Sequence, residues 1–145
     1  GKENSGMINL SGAARVGRYG EGIAQIRISS GKTIKIGDGD TINSKSGVGI
    51  FGLNSDSIVN EGIIEFGNEA AGIYGENITS GIENRAGSLL TNNGGQKGTG
   101  IFAKGSMVEN RGNIVMGDAS NGIYSDNGLV KNYGRLTVGN GESAG

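Results

Sequence analysis

An all-β solenoid is the fold this sequence predicts, on three observations. One signature recurs along the chain, the residues around each copy alternate between apolar and polar, and no stretch carries a helical stripe. The signature is Asn-x-Gly-x-Ile/Leu-x-apolar-Gly. It reads NEGIIEFG from Asn60 to Gly67, NRGNIVMG from Asn110 to Gly117 and NYGRLTVG from Asn132 to Gly139. NRAGSLLTN, from Asn84 to Asn92, reads as a copy with one extra residue. NSGMINLS, from Asn4 to Ser11, is a copy ending in Ser, and ISSGKTIKIG, from Ile28 to Gly37, has Ile in place of the Asn. The leading positions are therefore 4, 28, 60, 84, 110 and 132, separated by 24, 32, 24, 26 and 22 residues. Repeats of 20 to 50 residues mark solenoids and arrays.

Each repeat holds three short strands. One is Gly-Ile-Phe/Tyr. The second ends at the Asn, with Ile58, Ile82, Val108 and Val130 two residues ahead of it. The third follows the Gly, with Ile64, Leu89, Ile114 and Leu136 two residues after it, and Ile8 and Ile34 in the outlying copies. Alternation with a period of two places one face of each strand in a core. Three strands and three corners in ~22 residues make one turn of a parallel β-helix. Five to six such turns, of ~22 to 26 residues, are expected. Residues 1–145 read as a single β-helix fragment, less regular over 1–48 and regular over 49–145. Both ends are expected to continue, because a bare terminal turn exposes strand edges. Leucine-rich repeats are shorter, propeller blades need ~40 residues, and a calcium-binding nonapeptide solenoid needs more than the lone GDGDT of Gly37 to Thr41.

Composition agrees. There are 31 glycines in 145 residues, a proportion that suits either disorder or many tight turns, and the regular spacing of Ile, Val and Leu decides for turns. Thirteen basic and fourteen acidic residues give a net charge of −1, with no basic stripe for nucleic acid. No apolar run reaches the ~18 residues of a membrane helix, and no signal peptide is visible. The absence of Cys excludes a disulfide scaffold and Cys-ligated metal. No cofactor or metal is expected, and a monomer is expected.

Stacked turns place like residues above like. Asn4, Asn60, Asn84, Asn110 and Asn132 are expected to form an internal amide ladder, as in cross-β structure, with ligand binding as the alternative. Gly62, Gly87, Gly112 and Gly134 read as corners needing positive φ. Arg85 and Arg111 share one outward position and Glu83 and Glu109 another, so the rows compensate each other. Asn77-Ile78-Thr79 has the spelling of a glycosylation acceptor and is read as chance.

Two features are candidate contact sites. Phe51, Tyr74, Phe102 and Tyr124 recur once per turn. Either the preceding Ile50, Ile73, Ile101 and Ile123 face inward or the rings do; Ile inward is favoured because it continues an aliphatic core. The rings then form an exposed ladder that stacks on sugar rings or buries against a partner, with a purely packing ladder as the plainer reading. The second feature is two long connections, Gly37 to Gly49 and Asn92 to Gly100, expected to emerge from one edge. They carry Asp38, Asp40, Lys45, Gln96 and Lys97; two uninvolved loops are the plainer reading. Catalysis has little support: with no His and no Cys, the usual base and thiol nucleophile are missing. Asp38, Asp40, Asp56, Asp118 and Asp126 sit in turn-like contexts.

The runs Gly72-Ile73-Tyr74, Gly100-Ile101-Phe102 and Gly122-Ile123-Tyr124, with Val108-Glu109-Asn110-Arg111-Gly112-Asn113-Ile114 as the cleanest second half, resemble passenger domains of Gram-negative autotransporter adhesins, the very large fusobacterial ones above all. The match is good from Gly49 onward, and residues 12–31 depart from it. The resemblance implies a right-handed β-helix, export by type V secretion through an outer-membrane barrel outside this segment, and a bacterial cell-surface location. It implies a non-catalytic role in attachment to a protein or glycan on host or other bacterial cells, and virulence. Spacer turns without ligand contacts and a β-helix carbohydrate-active enzyme are the alternatives.

Overall fold

The computed structural model describes residues 2–4, 7–10, 26–29, 31–44, 48–141 and 144–145. Strands β1 (Lys2–Asn4), β2 (Met7–Leu10) and β3 (Ile26–Ser29) come first. Four complete three-strand turns follow. They are β4 (Thr33–Ile36), β5 (Thr41–Ser44) and β6 (Ile50–Leu53); β7 (Ser57–Asn60), β8 (Ile63–Phe66) and β9 (Ala71–Glu76); β10 (Ile82–Asn84), β11 (Leu89–Thr91) and β12 (Thr99–Lys104); and β13 (Val108–Asn110), β14 (Asn113–Val115) and β15 (Asn121–Asp126). β16 (Val130–Asn132) and β17 (Arg135–Thr137) open a further turn. Among the described residues there are four complete turns with partial turns at both ends, slightly fewer than the five to six expected.

The strands stack into three sheets: β1-β2-β4-β7-β10-β13-β16, then β5-β8-β11-β14-β17, then β3-β6-β9-β12-β15. Every pairing is parallel except β1 with β2. The fold is thus an all-β parallel solenoid with three strands per turn. Ile58, Ile82, Val108 and Val130 fall in one row, and Asn60, Asn84, Asn110 and Asn132 in the next.

The early register differs from the expected one. β4 pairs with β7, so Ile34 and Ile36 lie level with Ile58 and Asn60, not with Ile64 and Phe66. The strand level with Ile64 is β5, where Ile42 takes that place. The Asn row therefore passes through Ile36 and Leu10, while Asn4 lies in antiparallel β1 opposite Met7, outside the ladder. Gly-bounded alternation tells which face is buried and leaves open which sheet receives it. NRAGSLLTN likewise carries two extra residues rather than one. Leu90, not Leu89, is level with Ile64 and Ile114 and fully buried.

The core is a set of vertical rows. Ile50, Ile73 and Ile101 are wholly buried on the third sheet, as are Ile42, Ile64, Leu90 and Ile114 on the second. Beside the isoleucines of the third sheet runs a row of small residues, Gly52, Gly75 and Ala103. A Cβ on Gly52 or Gly75 would stand 2.6 Å from the Cδ1 of Ile58 or Ile82, so these glycines are the sockets for first-sheet side chains. The expectation of positive φ at the signature glycines holds only at Gly87, at +84°. Gly62, Gly112 and Gly134 lie outside that region. They are small because the previous turn runs against them: a Cβ on Gly112 would meet the Arg85 carbonyl oxygen at 2.5 Å.

One row of left-handed residues lies at the corner from the third sheet to the first. It is Gly31, Asn54, Asn77, Gly105 and Asn127, with φ from 52° to 72°; other left-handed residues, Glu69, Lys97 and Ala119 among them, lie at other corners. Backbone bonds tie the row together: Gly31 N–H donates to the Asn54 carbonyl at 2.9 Å, and Asn54 N–H donates to the carbonyl of Glu76, the residue before Asn77, at 2.9 Å. Asn and Gly tolerate this conformation better than other residues.

Candidate functional site

Inside the solenoid the amide ladder is continuous. Asn60 Nδ2 donates to Asn84 Oδ1 at 2.9 Å, Asn84 Nδ2 to Asn110 Oδ1 at 2.8 Å, and Asn110 Nδ2 to Asn132 Oδ1 at 2.9 Å. Each Oδ1 of Asn60, Asn110 and Asn132 also accepts the amide N–H two residues on, from Gly62, Gly112 and Gly134. Asn60, Asn84 and Asn110 are 0% exposed, so this row is internal scaffolding. A ligand has no access to these three amides; Asn132, at the end of the row, is exposed.

On the outside of the third sheet the four rings stack. Ring centroids are 4.8 Å apart for Phe51 and Tyr74, 4.9 Å for Tyr74 and Phe102, and 4.8 Å for Phe102 and Tyr124, with planes within 2°, 5° and 11°. The spacing is that of the strands themselves. The isoleucines point inward, and the rings point out, half-buried at Phe51, Tyr74 and Phe102 and exposed at Tyr124. Each interior ring has both faces against its neighbours. What the ladder offers outward is ring edges, so face-on stacking of a sugar along its length is blocked by its own regularity. Two residues further on runs a row of Leu53, Glu76, Lys104 and Asp126. The Tyr74 hydroxyl donates to Glu76 Oε1 at 3.0 Å; burial first, then this carboxylate, raises the Tyr74 pKa above 10.0.

The first sheet and its corner carry the ionic rows. Glu61 accepts from Arg85 Nη1 at 2.7 Å and lies 3.2 Å from Lys35 Nζ. Arg85 Nε contacts Glu83 at 3.2 Å, and Arg111 Nε contacts Glu109 at 3.1 Å. Arg111 lies over the Tyr133 ring, 4.4 Å from its centroid. Like charges do stack, and each row is answered by its neighbour. The hydrogen bond from Arg85, partly opposed by desolvation and helped by Lys35, lowers the Glu61 pKa below 4.5. A depressed carboxylate pKa contributes stability that is complete above the ordinary value and is lost as pH falls through the folded one. Thermal melts from about pH 5 to about pH 3 should show the wild-type chain losing more of its melting temperature than Glu61→Gln. Equal slopes would remove Glu61 from the acid response.

The two long connections are built differently, although the end of the first and the whole of the second both lie between the second and third sheets. β5 forms within the first of them, so Asp38 and Asp40 lie at the corner between β4 and β5, while Gln96 and Lys97 lie at the corner between the second and third sheets. Asp38 is exposed; Asp40 is buried and accepts the Gly37 N–H at 3.1 Å, a turn role. Gln96 and Lys97 are exposed. Lys45 falls outside the described residues. Asp56 and Asp118 occupy the two remaining corners and Asp126 the end of β15, so the five aspartates converge nowhere. Among the described residues no cluster of three metal-ligating side chains occurs. No described helix is long and apolar enough to cross a membrane.

Sequence reasoning passed over Asn92. It is 2% exposed in the row of Phe66 and Met116, donates to the Gly95 carbonyl at 3.0 Å and accepts the Gly117 N–H at 2.9 Å. An Asn standing where other turns have an apolar residue was the available signal.

These ladders define a class, the parallel β-solenoid. No family model, curated protein or solved structure matches the chain.

Proposed function

We propose that this chain is part of a bacterial cell-surface adhesin of the autotransporter type, non-catalytic, with the outer face of the third sheet as its contact surface. The observation that carries this reading is the unbroken outward ring ladder flanked by a charged row. The Gly-Ile-Phe/Tyr and Val-x-Asn-x-Gly-x-Ile runs, which resemble autotransporter passengers, support it. The partner is a protein or glycan of a host or bacterial cell surface, met through ring edges and side-chain charges. Export and anchoring by an outer-membrane barrel belong to the same proposal.

The test is attachment of cells displaying the solenoid. Tyr74→Ala with Tyr124→Ala, folding unchanged by circular dichroism, should reduce attachment at least about tenfold, the equivalent of about 1.4 kcal/mol. A second reading, a passive spacer, is favoured by the self-contained stacking of the rings, which satisfies them without any ligand. Under that reading the double variant attaches like the wild type, and foreign turns of equal number substitute for these.

A further inference from the structure

We infer that the outer face of the third sheet pairs two copies of this chain, antiparallel, about a twofold axis running along the strands between β9 and β12. This rests on that face being the contact surface and names its partner. The observation is a charge pattern that is its own complement on the two middle turns of the ladder; on the outer turns Leu53 would face Asp126. On the turn of β9, both sides of the ladder are acidic: Glu69 at the entering corner and Glu76 at the far end of the strand. On the turn of β12, both sides are basic: Lys97 at the corner and Lys104 at the strand end. Lys104 is level with Glu76 in the sheet. Lys97 is level with Glu69, whose N–H donates to the Gln96 carbonyl at 2.9 Å.

A twofold axis along the strands keeps each position along the strand and reverses the order of turns. The acidic turn of one copy then faces the basic turn of the other, twice. Tyr74 meets the partner ladder at Phe102, and Phe51 meets it at Tyr124. The four charges are available for this. Glu69, Lys97 and Lys104 are exposed and enter no salt bridge within the chain among the described residues, although each cation neighbours an anion. Glu76 is held in place by the Tyr74 hydroxyl. A parallel arrangement would set acid against acid and base against base at matching heights. The face measures roughly 20 Å by 20 Å, from four strand spacings and six residues of strand. Roughly 400 Å² per copy is about half the usual interface, so a single pair is weak and arrays of copies on facing cells gain by multivalency.

Sedimentation of the whole chain at rising concentration tests this. Wild type should pass from monomer to dimer below about 1 mM and revert in about 1 M NaCl. Among the described residues of the two flanking rows, Lys97→Glu with Lys104→Glu leaves only acidic charges, and Glu69→Lys with Glu76→Lys makes both middle turns basic, with Asp126 as the remaining acid. Each double variant should lose at least tenfold in association, and an equimolar mixture should recover it. The substituted residues are surface charges, so melting curves like the wild type's will establish that both variants fold. A wild-type chain that stays monomeric, or a mixture that associates no better than its components, overturns the pairing. Attachment that depends on Tyr74 and Tyr124 while the wild type stays monomeric would keep the adhesin reading and remove the second copy as its partner.

Discussion

Asn84→Ala should cost about 3 kcal/mol of stability in denaturant unfolding, while Asn132→Ala should cost under about 1 kcal/mol. The difference follows from where each amide sits. Asn84 accepts from Asn60 Nδ2 at 2.9 Å and donates to Asn110 Oδ1 at 2.8 Å, all three being 0% exposed. Alanine strands a donor above and an acceptor below in a core that water does not reach, at about 1 to 3 kcal/mol each. The loss stays near the low end because neither group is left bare. Asn60 Nδ2 retains the Leu89 carbonyl at 3.3 Å, and Asn110 Oδ1 retains the Gly112 N–H at 3.2 Å. Asn132 is exposed, only one ladder bond ends on it, and its partner Asn110 Nδ2 retains the Gly112 carbonyl at 3.3 Å. Asn84→Asp should be worse than alanine: it offers no donor to Asn110 and brings a charge into the ladder. A loss equal to that at Asn132 would show that the ladder is incidental to stability.

The ladder also shows what the sequence could tell and where it stopped. The Asn row from Asn60 to Asn132 was legible because each Asn follows a β-branched residue by two positions and precedes a Gly by two or three, and the turn lengths between them are nearly equal. The ring ladder was legible for the same reason, and its facing followed from the isoleucines, which had to continue the core. At Ile36 the row is occupied without an amide. Asn60 tolerates this because its Oδ1 is satisfied by Gly62 and its donor points the other way, so the ladder can begin there with no signal in the preceding turn. TIKI and TINS, both alternating and both four residues long, were interchangeable by pattern, and only pairing assigned them to different sheets. The left-handed corner of Asn54, Asn77 and Asn127 was legible in principle: each stands three residues after the ring. The Asn of the signature, followed two or three residues on by Gly, is the stronger pattern and obscures this row. The charge complement of the third-sheet face could not be seen before Lys97 was placed level with Glu69, because two extra residues separate Lys97 from its preceding strand.

Gly112→Ala should cost more than about 3 kcal/mol, and Gly87→Ala only about 1 kcal/mol, although both occupy the glycine of the signature. Gly87 has φ of +84° and open space where a Cβ would go, so alanine there bears only the strain of the left-handed region. Gly112 has an ordinary φ and no space. Its Cβ would overlap Ser88 Oγ, which can rotate away, but it would also meet the Arg85 carbonyl oxygen at 2.5 Å and the Ser88 carbonyl oxygen at 3.0 Å, and these are backbone atoms that cannot swing clear. The turns of β10 and β13 must separate. That lengthens the Gly112 N–H bond to the Asn84 carbonyl, now 3.1 Å, and pulls on the Asn84–Asn110 amide link at the same level. In a stack where each turn touches only its neighbours, damage of this kind weakens one interface rather than the whole. Hydrogen exchange should therefore show the amides of β13 to β17 losing protection in Gly112→Ala while those of β7 to β9 keep theirs. Uniform loss along the axis would mean that the turns unfold as one unit, and the nearest-neighbour picture of this solenoid would have to go.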